Sequence, residues 1–145
     1  MALKIVVGLD GHGPDNRAVS YARDLAERIG SCELILAYVI EWSPFTFQTA
    51  EENAERHKRR EEEIALAQSR VIQPAVAELE AAGVSVRGIV KHGDVADRLE
   101  AIAKAEGASQ IVVARTSDKS LSSRIFGSST ANLVMHSSLP VTVVG

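Results

Sequence analysis

Aromatic residues make up only 4% of the chain and cysteine occurs once, at Cys32. No apolar stretch approaches the roughly 18 to 20 residues that a membrane helix needs. Each shortage excludes something. A lone cysteine forms no internal disulfide, so nothing calls for an oxidising compartment. Lys and Arg number 16 against 19 Asp and Glu, a net charge of -3, which leaves no basic pull toward nucleic acid or an anionic membrane. The opening "MALKIVVGLDGHG" has one short apolar run and no small-residue cleavage site. It reads as a first strand and not as a signal peptide, and the cytoplasm is the expected compartment. With aromatics scarce and apolar residues at 46%, the core must come from Ala, Val, Ile and Leu, in a single domain over residues 1–145.

What is present alternates. "KIVVGLD" is a β-branched run ending in a turn, and "PDNRAVSYARDLAERIG" follows with Pro14 and Asp15 as helix-start signals, Ala18, Ala22, Leu25 and Ile29 at helical spacing, and Gly30 as a stop. "CELILAYVI" is a second strand. A long charged stretch from about Ala50 to Ala82 carries a narrow apolar stripe of Ile64, Ala67, Val71, Ala75 and Leu79, with "ERHKRREEE" expected to be solvated ahead of it. Pro74 predicts a kink near Gln73. "VSVRGIVK" reads as strand, and "DVADRLEAIAKAEG" as helix with Asp94 capping its start, Val95, Leu99 and Ile102 inward and Gly107 ending it. "SQIVVAR", a short helix in "SSTANLVMHSS" and a last strand in "LPVTVVG" complete the chain. Continuous apolar strands joined through helices predict an α/β, doubly wound, five-stranded parallel sheet with helices on both faces. Ligands of such sheets bind at the carboxyl ends of the strands, beside the switch in strand order. That rule selects the turn after the first strand (Leu9, Asp10), the end of the second (Val39) and the loop after the fourth.

Several chemistries are missing. No Gly-Lys-Ser/Thr phosphate loop occurs, and "GHGPDN" fails the dinucleotide fingerprint because Asn16 holds the third glycine's place and Pro14 removes an amide. The third strand ends in Lys91-His92-Gly93, where a phosphoacceptor receiver would place an aspartate. His12, His57, His92 and His136 lie in unrelated contexts and read as surface or loop residues. Cys32 reads as a small buried hydrophobe. No Cys/His pair has metal-ligand spacing, so no metal is expected by itself.

"IVVGLDG", "LILAYVIE", "GDVADRLEAIAKAEGASQIVVA" and "FGSSTANLVMHSSLPVTVV" together resemble the universal stress protein family across essentially the whole chain. The resemblance implies the adenine nucleotide alpha hydrolase-like fold. It also implies an ATP-type site built on Gly-x-x-Gly followed, after a fixed interval, by Gly-Ser/Thr. The physical reason is that glycines let backbone amides approach phosphate oxygens and the Gly-Ser pair opens a helix whose free amides attract anions. Here Gly127 and Ser128 match, with Ser129 next, while Ala114 and Ser117 stand where the family's ATP binders carry glycine. Ala114 is tolerable if its φ is negative. Ser117 costs of order 1 kcal/mol or more if φ must be positive. Against that loss, Arg115, Lys119 and Arg124 offset Asp118 and suit an anion. By the same resemblance Asp10 accepts from a ribose hydroxyl or adenine amino group and Val39 offers its backbone to the base edge, against the plainer readings of a turn aspartate and core packing.

Two functional readings stay open. In the first the chain is a regulatory or sensor module of the stress response that binds ATP or a related adenine nucleotide or anion, with Mg²⁺ only as the nucleotide's companion. In the second it holds no nucleotide and acts as an adaptor through protein partners, using residues 41–60, where Trp42, Phe45 and Phe47 form either a lid or an interface. Weak ATP hydrolysis has no general base or metal cluster to support it, so no catalytic residue is assigned. In either reading a homodimer is expected through Val141, Thr142, Val143 and Val144, a short apolar terminal strand that needs cover.

Overall fold

The computed structural model describes residues 2–9, 17–41, 50–115 and 128–145. Five strands, β1 (Leu3–Leu9), β2 (Cys32–Glu41), β3 (Ser85–Gly93), β4 (Gln110–Ala114) and β5 (Val141–Val144), form one parallel sheet in the order β3-β2-β1-β4-β5. Between them run α1 (Arg17–Ile29), α2 (Ala50–Ala67), α3 (Gln73–Ala81), α4 (Val95–Glu106) and α5 (Ser128–His136). The expected doubly wound α/β architecture is the one observed.

Strand alternation divides the core in two. Ile5, Val7, Leu34, Leu36 and Val112 face α1, α2 and α3, while Val6, Ile35, Ala37, Ile111 and Val113 face α4 and Leu133 of α5. Both faces are covered, which is why the strands read as unbroken apolar runs. On α1 the buried stripe is Ala18, Ala22 and Ala26. Ile29, expected inward, is instead 38% exposed. The buried positions advance in steps of four, and the helix ends at Ile29 before that stripe returns to the sheet; Gly30 then turns away at φ 88°. The absence of long side chains along the stripe leaves α1 close to the strands.

The break expected at Pro74 takes the form of a π-helical turn over Gln68–Ile72 that joins α2 to α3. Gln73 N–H donates to Gln68 O, five residues back, and Pro74 has no N–H to resume the regular ladder. The wide turn sets Ile72, 5% exposed, against Gly88 of β3. At α4 the cap is as expected: Asp94 has ψ 130° and its carboxylate accepts from Asp97 N–H at 3.0 Å, and Gly107 ends the helix at φ 69°.

The approach to β5 is fixed from α4. Glu100 Oε1 accepts from Ser138 N–H at 2.9 Å and from Ser138 Oγ at 2.8 Å, with Lys104 Nζ at 3.4 Å. The Ser138 backbone N–H, then its hydroxyl and Lys104, hold the Glu100 carboxyl below its ordinary range. A carboxylate with a depressed folded-state pKa adds stability that is present above its unfolded value, about 4.3, and lost as pH falls through the lower folded value. The melting temperature of wild type is therefore expected to fall faster below about pH 4.3 than that of Glu100→Gln. Calorimetric melts from pH 6 to about 3 check this; parallel curves would show that the Glu100 contacts carry no pH-linked stability.

Candidate functional site

The sheet opens where its strand order reverses. The β1–β4 ladder covers only Ile5–Val7 against Gln110–Val112, whereas β1–β2 pairing continues to Leu9↔Tyr38 and β4–β5 pairing to Ala114↔Val144. Over their last two residues β1 and β4 are held by their outer neighbours and not by each other. This is the crevice in which open α/β sheets take ligands, and Leu9 and Ala114 end its two walls.

Ala114 settles half of the glycine question. It is the last residue of β4, and no described residue other than glycine has a positive φ, so this substitution carries no backbone strain. Its carbonyl accepts from Thr130 Oγ1 at 3.2 Å. Thr130 stands in the first turn of α5, so the hydroxyl ties the amino end of that helix to the end of β4. Ser128 opens the helix, as the Gly127-Ser128 pair predicts, and Ser129 and Thr130 are half-buried beside it. The first amides of a helix have no partners within it and attract an anion. Thr130 was missed in the sequence; its one legible signal is a hydroxyl placed three residues after a helix-opening glycine.

Arg115 is exposed, its N–H donating to Val144 O at 2.8 Å. A Cβ placed on Gly145 would lie 3.6 Å from its Nη2, so the guanidinium leans toward the end of β5 and away from the β1–β4 opening. Val39 is 7% exposed and packs its side chain with Ala96 and Leu99 of α4. The packing and backbone readings are compatible here. Past Leu9↔Tyr38, residues 39–41 of β2 pair with β3 alone, and their main chain on the β1 side lies beyond the β1 ladder. Asp10, Ser117, Arg124 and Gly127, with the side chain of Ser128, lie outside the described residues, as do His12, Lys119, Trp42, Phe45 and Phe47.

One wall of the edge was unforeseen. Glu63 of α2 meets His92 of β3 at 3.4 Å, and His92 stands level with Ile40, one row from the end of β2. Residues 50–62 of α2 precede that contact, about 20 Å of helix at 1.5 Å per residue. Along that length the stripe of Ile64, Ala67 and Val71 continues at helical spacing as Arg56 and Arg60, both half-buried, within a run read as wholly solvated. His92 also departs from the surface reading: its side chain is 14% exposed and, among the described residues, neither ring nitrogen makes a hydrogen bond, although Glu63 lies at ion-pair range. His57 and His136 are exposed, the former beside Glu61 at 3.2 Å. Cys32 is buried, and burial first, then Glu33, pushes its thiol pKa up, the setting of an inert sulfur.

Among the described residues no helix is long and apolar enough to cross a membrane. No curated protein matches the chain in sequence. Solved structures do. UspA of Lactobacillus plantarum superposes with a TM-score of 0.79 at 20% identity, over 99% of this chain and 97% of that one. A universal stress protein in complex with cAMP gives 0.67 at 24% identity, over 99% and 96%. The Archaeoglobus fulgidus protein in complex with dAMP gives 0.58 at 17%, over 99% and 98%. At such identities the likeness carries the fold. The sequence model described as the universal stress protein family goes further, matching residues 1–145 from end to end, and the chain belongs to that family.

Proposed function

We propose that the chain is a regulatory module that binds an adenine nucleotide at the carboxyl edge of its sheet, and that it acts as a dimer and not as a catalyst. The observation that carries this reading is the opening between β1 and β4, with the amino end of α5 tied to one wall by the Thr130–Ala114 hydrogen bond. Ala114 is strain-free in its strand, so the departure from the family's glycine pattern rests on Ser117. A nucleotide with one phosphate asks least of that loop, and two structural neighbours were solved with cAMP and dAMP. A further phosphate would need amide donors at Ser117, and Mg²⁺ would enter only with it.

Ligand-stripped protein titrated with AMP, cAMP and ATP, the last with Mg²⁺, tests the reading by calorimetry and thermal shift. AMP or cAMP at 100 times its Kd is expected to add about 2.7 kcal/mol of stability, with ATP bound no more tightly than AMP. No heat and no shift at millimolar concentrations of all three would sink it. The second reading, an adaptor without nucleotide, then stands, favoured by the two replaced glycines and by the largely exposed, charged first half of α2 as a partner surface. The cytoplasm is the compartment that both readings propose.

A further inference from the structure

At the carboxyl end of β2, on the side of the sheet covered by α1 to α3, a cleft of about 450 Å³ lies between the second half of that strand and α2. That is enough for a ligand of two or three fused rings. Its floor is Tyr38 and Ile40, both half-buried, and Leu66 stands at its mouth, 48% exposed despite being wholly apolar. The inner end is formed by the π-helical turn, which brings Val71 and Arg70 to the cleft. Such wide turns recur at functional sites because the extra residue re-aims side chains that a regular helix would point elsewhere.

The charges around the cleft are not equally committed. Glu63 is at His92, and Arg59 is within 3.7 Å of Glu55. Arg70 makes no ion pair with any described residue. Its guanidinium offers a planar fork of donors suited to a carboxylate or sulfonate. Glu62, the other carboxylate of the rim, lies two helical turns up, about 12 Å away along the axis. A negative group in the cleft is therefore drawn to the inner end, and the apolar floor between the two charges accepts a flat body.

We propose that this cleft binds a flat, largely apolar small molecule carrying a single anionic group, the ring system lying on Tyr38 and Leu66 and the anion held by Arg70. Among the described residues the cleft is lined by β2, α2 and the π-helical turn and by none of β1 or β4; as proposed, it is a site apart from the β1–β4 opening and does not depend on whether a nucleotide binds there. Two probes of one shape test it on the full chain: 8-anilinonaphthalene-1-sulfonate, which is anionic, and N-phenyl-1-naphthylamine, which is neutral. Fluorescence titration is expected to show saturable binding of one sulfonate per chain, about tenfold tighter than the neutral probe. Arg70→Gln should erase that difference by weakening the sulfonate alone, while Glu51→Gln in the first turn of α2 leaves both unchanged. Arg70 is exposed, and a melt equal to wild type confirms that the variant is folded. Equal affinity for the two probes, an unaffected sulfonate in Arg70→Gln, or no saturable binding would each overturn the proposal. Displacement of the sulfonate by saturating AMP would merge the cleft with the nucleotide site and overturn its separateness.

Discussion

Gly88→Ala is expected to destabilise the protein by about 1 to 3 kcal/mol, a large effect for one added methyl on an exposed residue. The backbone is not the obstacle, since Gly88 lies in β3 without a positive φ. Taken alone, alanine would stabilise by about 0.4 to 1 kcal/mol by restricting the unfolded chain. Packing outweighs that gain. A Cβ at Gly88 runs into Cγ2 of Ile72, with Val76 Cγ2 at 3.5 Å. Ile72 is 5% exposed and β-branched, so it has little freedom to turn aside. The π-helical turn fixes its position, and Pro74 stands immediately behind. Urea unfolding measures the loss, and a double-mutant cycle assigns it. Ile72→Ala alone should cost about 2 to 5 kcal/mol through the cavity it leaves. Adding Gly88→Ala to it should then cost little, a coupling of about 1 to 3 kcal/mol. If the two changes add, the contact is not the cause.

This contact also marks where the sequence stops being legible. Strands and helices were readable because both faces of the sheet are buried, so that β-branched runs, the Asp94 cap and Gly107 each carry one local meaning. The crevice was readable for the same reason, since alternation fixes a parallel sheet and a parallel sheet fixes its ligand edge. Pro74 announced a break but not its form. A proline forbids one hydrogen bond, and whether the helix kinks or widens depends on what it packs against, here Gly88, which is 16 residues from Ile72 in the chain. Ile29 failed as an inward residue because periodicity gives a face but not the point at which a helix leaves the sheet. Arg56 and Arg60 were hidden differently. A mixed charge run has no periodic signature, so which of its members are half-buried depends on how α2 packs in the fold. The candidate site divides along the same line. Ala114 and Thr130 sit on regular elements and acquire definite roles, while the meaning of Ser117 depends on a backbone angle that no local sequence pattern specifies.

Val143→Lys is expected to convert the proposed dimer to monomer. Among the described residues strand β5 is at the edge of the sheet, paired to β4 alone, and all four of its residues are only half-buried. Val141 and Val143 pack toward α4 and α5, and Val144 toward α1, so each still presents part of its surface outward. A short apolar edge of this kind needs a partner, and the family's members are commonly dimeric. Pairing β5 with its copy across a twofold axis covers both strands at once. Symmetry then places two lysines at the interface for every one substituted, and each ammonium must lose water without gaining a counter-charge. The dimer should weaken by about two orders of magnitude or more. Sedimentation or size-exclusion runs over a dilution series read the change, and a cooperative thermal melt separates dissociation from unfolding. Leu66→Lys, a similar charge on an exposed apolar residue of α2 at the other end of the sheet, should leave the dimer intact. A Val143→Lys protein that stays dimeric at the wild-type dilution would place the interface on another face, and β5 would then require its cover from a different protein.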